Sequence, residues 1–140
     1  MNTIELSESQ LARIREQFEQ VPFARFLGLQ LDYVARGTAT LRIEVRDDLK
    51  QNKGLLHGGV LASLIDTAAA FAALTMLEES EHAATIDLTI HYLRAVTSSQ
   101  ITARAAVLRA GRRLIFLNAE VFDESQTIVA TALTTFARLF

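Results

Sequence analysis

The sequence has no cysteine, no tryptophan and a single proline, Pro22. Without cysteine there can be no disulfides, no cysteine zinc site and no thiol nucleophile, and the composition fits a reducing compartment. One proline and six glycines leave no Pro/Gly-rich linker and no low-complexity tail. Charge is nearly balanced, 14 Lys and Arg against 16 Asp and Glu for a net −2. The clustered cations of a nucleic-acid binder are therefore not expected. Of 140 residues half are hydrophobic and 21% charged, which reads as one globular domain over 1–140 rather than two domains or a disordered chain.

Residues 1–20 carry Glu5, Glu8, Glu16 and Glu19 and no apolar core, so no signal peptide is read there. Val60 to Leu77 is apolar except for Ser63, Asp66, Thr67 and Thr75, nearly long enough to span a bilayer. An acid near the middle of that run is expensive in lipid, and alanine outnumbers leucine. A buried helix of a cytoplasmic protein, with neither membrane nor nucleic acid as partner, is the expectation.

The chain order predicts a mixed α+β architecture. Ser7-Glu-Ser-Gln10 resembles a capping box, and Leu11, Ile14 and Phe18 follow at helical spacing, giving a helix over about 7–20 that Pro22 ends. Phe23, Phe26 and Leu27 form a short turn or helix, which completes an N-terminal helical segment over 1–27, and Gly28 releases the chain. Leu29, Leu31 and Tyr33 alternate with Gln30 and Asp32, and a second alternation runs from Ala39 to Arg46 beyond Gly37, so the pair reads as a hairpin. Asp47 to Leu56 is a polar loop. The apolar helix follows from Gly58 to about Glu79.

Four strands come next: 84–94, 100–110, 112–123 and 126–139. In the first, Ile86, Leu88, Ile90 and Tyr92 face one way and Asp87, Thr89 and His91 the other. With no helix between the strands the sheet is antiparallel. A helix apolar on all sides must be covered on most of them, so a curved antiparallel sheet wraps it, and two such sheets pair edge to edge in a dimer.

The chemistry concentrates between Gln51 and Thr67, where a polar loop ending in His57-Gly58-Gly59 opens into the buried helix. First-turn amides lack intrahelical acceptors and carry the positive end of the dipole. Gly58 and Gly59 have no Cβ, so a ligand carbonyl can approach these amides, and an oxyanion held by the Gly58 amide gains on the order of a hundredfold in rate. Asp66 lies nine residues past His57, about 13 Å along a helix. One protomer therefore holds the two apart, while a symmetric dimer brings Asp66 of one chain to His57 and Gly58 of the other. A carboxylate on this helix either caps or pairs with a buried group or does chemistry, and His57 either caps the loop or contacts substrate. His82 and His91 read as surface residues. No metal-ligand spacing, phosphate-binding glycine loop or serine-hydrolase elbow is present, and Ser63 has no adjacent base.

The layout and these motifs together resemble the hotdog-fold acyl-CoA thioesterases, particularly the phenylacetate-pathway type and its 4-hydroxybenzoyl-CoA relatives. The likeness covers Phe26-Leu-Gly28, Gly54-Leu-Leu-His57-Gly58-Gly59, the Ala-rich helix with its acid, Asp87-Leu-Thr-Ile-His-Tyr92 and Gly111-Arg112. It implies a hotdog fold, hydrolysis of an acyl-CoA thioester, no cofactor beyond the coenzyme A of the substrate, no metal, and a homo-oligomer, a tetramer built from dimers.

Carried over by position, the resemblance makes Asp66 the catalytic acid, as nucleophile or as general base on water. Gly58 becomes the amide that polarises the thioester carbonyl, and His57 the residue that supports this loop on the carbonyl or sulfur side. Gln51 matches a Gln or Asn beside the reacting group, with Asn52 next to it as second candidate. Thr85 matches a Ser or Thr that holds the attacking water. Some relatives place a Ser or Thr one turn after the acid, where this chain has Ala70, which favours the Thr85 arrangement over the aryl-CoA pattern. Gly59 and Thr67 join Asn52 as substrate-binding positions, and Leu55, Leu56 and Phe71 would line the acyl pocket. Arg94, Arg109, Arg112 and Arg113 are the cations that could meet the nucleotide phosphates, and Arg94 with the Arg112–Arg113 pair is preferred. Two other readings share the fold: a non-catalytic acyl-CoA-binding module, and a thioesterase acting on acyl-carrier protein. A hotdog dehydratase fits less well, because it needs a His/Glu or Asp/His pair around a hydroxyacyl carbon.

Overall fold

A computed structural model of the protein describes residues 5–140; the first four residues of the expected N-terminal segment lie outside the described ones. Helix α1 runs from Glu8 to Glu19 and α2 from Pro22 to Leu27. The capping box forms as expected, with Gln10 N donating to Ser7 Oγ at 3.2 Å and Ser7 N donating to Gln10 Oε1 at 2.8 Å. Pro22 does more than end α1: it is the first residue of α2, where its missing N–H costs nothing and its fixed φ suits a helix start. Gly28 caps α2 in the left-handed conformation, φ 77°.

Strands β1 (Gln30–Ala35) and β2 (Thr38–Glu44) form the hairpin. Helix α3 spans Gly58–Leu74, followed by β3 (His82–Tyr92), β4 (Gln100–Ala110), β5 (Leu114–Phe122) and β6 (Ile128–Leu139). Among the described residues all pairings are antiparallel, and the six strands lie in the order β1-β2-β4-β5-β6-β3. Strand β3 is thus an edge, next to β6. The sheet curls round α3, which packs against every one of its strands. Leu61, Leu64, Ile65, Ala68, Ala69, Ala72 and Ala73 are buried beneath it. Alanine makes that closeness possible, because a small side chain lets strand and helix backbones approach. Phe18 of α1 closes the other side, its ring 5.2 Å from Phe71 and nearly perpendicular to it.

Three expectations need correction. Helix α3 stops at Leu74 rather than near Glu79. Thr75 Oγ1 donates to Ala72 O at 2.7 Å and accepts from Gly37 N at 2.7 Å, fixing the chain end to the first hairpin. The apolar alternation in β1 breaks at a register shift between Leu31 and Tyr33. Tyr33 consequently points outward, 55% exposed, and Val34 inward, 5% exposed.

The third concerns β3. A register shift between Thr85 and Asp87 inserts one residue, so Asp87, Thr89 and His91 pair with Thr135, Leu133 and Thr131 on the outer face. Leu88, Ile90 and Tyr92 face the helix as expected, but Ile86 is the extra residue and is 55% exposed. Thr85, opposite the buried Phe136, takes the helix-facing place. Strict alternation would have put Thr85 with Asp87 on the outside. A bulge of this kind re-aims a side chain.

Among the described residues no helix is long and apolar enough to cross a membrane.

Candidate active site

The loop before α3 is built to present the helix N-terminus. A single 3-10 turn at Asp47–Leu49 leads into a tight hairpin held by a bridge between Lys50 and Leu56. Gln51 N donates to Leu55 O at 2.8 Å, and His57 N donates to Leu49 O at 3.0 Å. Gly54 turns the hairpin at φ 83°, a conformation that favours glycine. Gln51 thereby lines the same cleft as Gly58, its Oε1 accepting from Lys53 N, while Asn52 sits exposed at the tip.

His57 is the N-cap of α3, and its Nδ1 accepts from Gly59 N at 2.8 Å. That bond fixes the tautomer: Nδ1 is the acceptor, so neutral His57 carries its proton on Nε2. The His57 carbonyl accepts from Val60 N and Leu61 N. Among the described residues nothing accepts from the Gly58 amide, which leaves it as the free donor at the positive end of the helix. Gly58, Gln51, Leu55, Leu56, Leu61, Tyr92 and Arg94 line one cleft of about 340 Å³. Phe71 is not part of this lining; it packs on Phe18 instead.

Asp66 stands two turns further on, half-buried on the stripe Ser63, Asp66, Thr67, Ala70 that the chain's own sheet leaves partly open. Thr85 Oγ1 donates to Asp66 Oδ1 at 2.8 Å. Among the described residues Asp66 has no salt bridge. Thr85 is its hydrogen-bond partner there. The Thr67 hydroxyl donates to Ser63 O at 2.7 Å within the helix, and Ser63 likewise to Gly59 O at 2.9 Å. Thr67 thus borders Asp66 with its proton already committed.

The chain therefore gathers its candidate residues into two candidate half-sites. Asp66 and Thr85 form one, near the His82 end of β3. Gly58, His57, Gly59 and Gln51 form the other, near the Tyr92 end, with Arg94 on the rim. Arg112 and Arg113 lie exposed in the β4–β5 turn, with Arg113 O accepting from Arg138 N. That turn is at the His82 end of the sheet, because Leu114 pairs with Ala137 and Ala137 with Ala84. His82 and His91 are exposed. A separate hollow of about 420 Å³ on the outer sheet face, lined by His91, Asn118 and Glu120 among others, shares no residue with the cleft.

Sequence reasoning missed Tyr92. Its hydroxyl donates to Gly58 O at 2.8 Å, and the sequence signals nothing of this beyond an aromatic residue at a strand end.

Residues 53–130 match the family model of the thioesterase superfamily, a span that holds Gly58, Asp66 and Thr85. The medium/long-chain acyl-CoA thioesterase YigI of Salmonella typhimurium is 30% identical, over 97% of this chain and 98% of that one. The E. coli PaaI protein from the phenylacetic acid degradation operon superposes with a TM-score of 0.88 at 26% identity, covering 96% of each chain. A thioesterase family protein from Silicibacter pomeroyi gives a TM-score of 0.89 at 25% identity, over 94% of this chain and 98% of that one. With these likenesses the curled sheet and its enclosed helix are a hotdog fold, and the protein is a thioester hydrolase. The chain belongs to the thioesterase superfamily.

Proposed function

We propose that the protein hydrolyses an acyl-CoA thioester to the free acid and coenzyme A, with Asp66 as the working carboxylate and the Gly58 amide polarising the carbonyl. The observation that carries this is the 2.8 Å bond from Thr85 to Asp66. It occupies one carboxylate oxygen and orients the other, as a nucleophile or base requires. Two routes balance. In one, Asp66 adds to the thioester carbon and expels CoA thiolate, leaving a mixed anhydride that water opens. In the other, Asp66 takes a proton from water, the hydroxide adds, and the oxyanion collapses with loss of CoA thiolate, which is then protonated. Both place negative charge on the carbonyl oxygen, where an unpaired helix N-terminal amide stabilises it.

The half-sites combine if β3 pairs with β3 of a second copy. An antiparallel two-fold pairing sets the His82 end of one strand beside the Tyr92 end of the other, so Asp66 and Thr85 meet the partner copy's cleft. The same operation brings the Arg112–Arg113 turn of one chain to the end where Arg94 of the other rims the cleft, a cationic border suited to nucleotide phosphates. The outer sheet face, with Leu108, Phe116 and Leu133 exposed, is the surface we assign to pairing of dimers into a tetramer. The similarity to YigI and the lining of Leu55, Leu56 and Leu61 favour a medium or long acyl chain. Water is the only co-reactant needed, and the proposed place of action is the cytoplasm.

The test is release of free thiol from short-chain, long-chain and aryl acyl-CoAs and from acyl-carrier protein, with wild type beside Asp66→Asn. Turnover by wild type on CoA esters, lost by about a thousandfold in the folded variant, is expected for a carboxylate in either role. Turnover on the carrier protein alone changes the substrate. No turnover on any thioester by folded wild type overturns the proposal.

A further inference from the structure

We propose that Tyr92 is a positioning residue for this reaction, its hydroxyl holding the Gly58 peptide so that the Gly58 amide stays aimed at the substrate carbonyl. The inference rests on the assignment of Gly58 made above.

Three observations carry it. The Tyr92 hydroxyl donates to Gly58 O at 2.8 Å across 34 residues of sequence. The ring lies flush against the glycine: a Cβ built on Gly58 would meet three atoms of the phenol at 3.4 Å. Tyr92 also stands on a firm base. It pairs with Ala130, and the next two amides, Leu93 and Arg94, both donate to Val129 O, at 2.9 and 3.2 Å.

Gly58 needs such support. It is the first residue of α3, in a turn that frays in most helices, and glycine has the widest backbone freedom of any residue. The His57 carbonyl and the Gly59 amide on either side are already committed, to Val60 N and Leu61 N and to His57 Nδ1. Between them the Gly58 carbonyl is the handle that a group outside the helix can grip. Gripping it fixes ψ of Gly58 and, through the Gly59 amide, the ring of His57. One phenol therefore sets the Gly58 N–H at the cleft and, through Gly59, the imidazole of His57. Without it the donors remain but spend less of their time in line, and orientation of this kind is what a site loses when its supporting residues are altered.

Tyr92→Phe keeps the ring and removes only the grip. Losing an oxyanion donor outright costs about a hundredfold or more, so loss of its orientation should lower kcat by about tenfold. KM should stay within about twofold, because the ring that lines the cleft is unchanged. The decisive readout is the infrared carbonyl stretch of a ketone analogue of an acyl-CoA, with CH2 in place of sulfur, bound to wild type and to Tyr92→Phe. Circular dichroism and sedimentation confirm that the variant keeps its fold and assembly.

The proposal expects a downshifted stretch in wild type, a smaller shift in Tyr92→Phe, and equal affinity for the analogue. An equal shift and unchanged kcat in Tyr92→Phe overturn it while leaving Gly58 in place. Lost affinity with an unchanged shift makes Tyr92 a binding residue and also overturns it. No shift in wild type itself overturns the Gly58 assignment, and this inference with it.

Discussion

Thr85 Oγ1 and Asp66 Oδ1 are 2.8 Å apart, yet they come from elements that the sequence pattern alone would turn away from each other. Asp66 lies mid-helix, and Thr85 reaches it only because an extra residue at Ile86 rotates the start of β3 by one face. The threonine hydroxyl donates in this bond and the Asp66 carboxyl oxygen accepts.

Thr85→Ala should therefore lower kcat while Thr85→Ser restores most of it. Hydrogen bonds to charged groups are worth about 1.5–3 kcal/mol, which corresponds to a loss of about tenfold to a hundredfold in rate. Steady-state thiol release from the three proteins checks this. Equal rates in Ala and Ser variants would remove the hydroxyl from the site.

The adjacent glycines should behave differently. A Cβ on Gly58 makes only ordinary contact, 3.4 Å from Tyr92, whereas one on Gly59 would lie 3.0 Å from His57 Nδ1. Gly58→Ala is expected to keep the wild-type melting temperature and lose turnover as its methyl enters the cleft. Gly59→Ala must push the imidazole aside, losing a helix cap worth about 1 kcal/mol as well as turnover. Thermal melts separate the two.

Arg112→Ala should raise KM more than it lowers kcat. A lost contact worth about 1 kcal/mol is about a fivefold change in KM, and it should shrink with added salt. A KM unchanged at low ionic strength would take the β4–β5 turn out of the nucleotide site.

Acid stability should depend on Glu81. Its side chain is 7% exposed; it accepts from Glu78 N at 2.9 Å, and both its oxygens face Arg138 Nη1, at 3.2 and 3.1 Å. The Glu78 amide first, and Arg138 after it, hold the carboxyl below its ordinary value of 4.5, against the opposing effect of burial. A carboxyl depressed in the folded state stabilises the fold above the ordinary glutamate range, and that contribution is lost as pH falls through the folded value. Denaturant midpoints should fall on acidification from pH 6 to pH 3, with a shallower fall in Glu81→Gln. Parallel curves would remove Glu81 from the acid transition.

Much of this architecture was legible because it rests on period and punctuation. The capping box, the Gly37 turn, the buried helix and the four later strands all follow from side chains seeking one covered face. The helix N-terminus with His57 and Gly58 was legible for the same reason, since glycine and a cap residue mark where a helix begins. What escaped was set by long-range pairing. The alternation Ile86, Leu88, Ile90, Tyr92 is intact on paper, and only the register against β6 shows that Ile86 stands outside it. The end of α3 is decided by Thr75 meeting Gly37 N, 38 residues away, while Met76 and Leu77 continue the apolar run. Pro22 carries one signal with two meanings, a stop for one helix and a start for the next. The face of Tyr92 was legible but its bond was not, because that rests on one hydroxyl meeting one carbonyl 34 residues away.

Arg46 ties these parts together. It donates through Nη1 to Leu27 O at 2.7 Å and through Nη2 to Phe26 O at 2.9 Å, and its Nε lies 2.7 Å from Asp48 Oδ1. One guanidinium thus bridges the last carbonyls of α2, the end of β2 and the turn that leads to Gln51. The leading helices accordingly brace the reactive loop like a buttress. Shortening the chain ahead of Gly28 would strip this arginine of two of its three partners and slacken the scaffold under His57, without touching any residue we assign to the site.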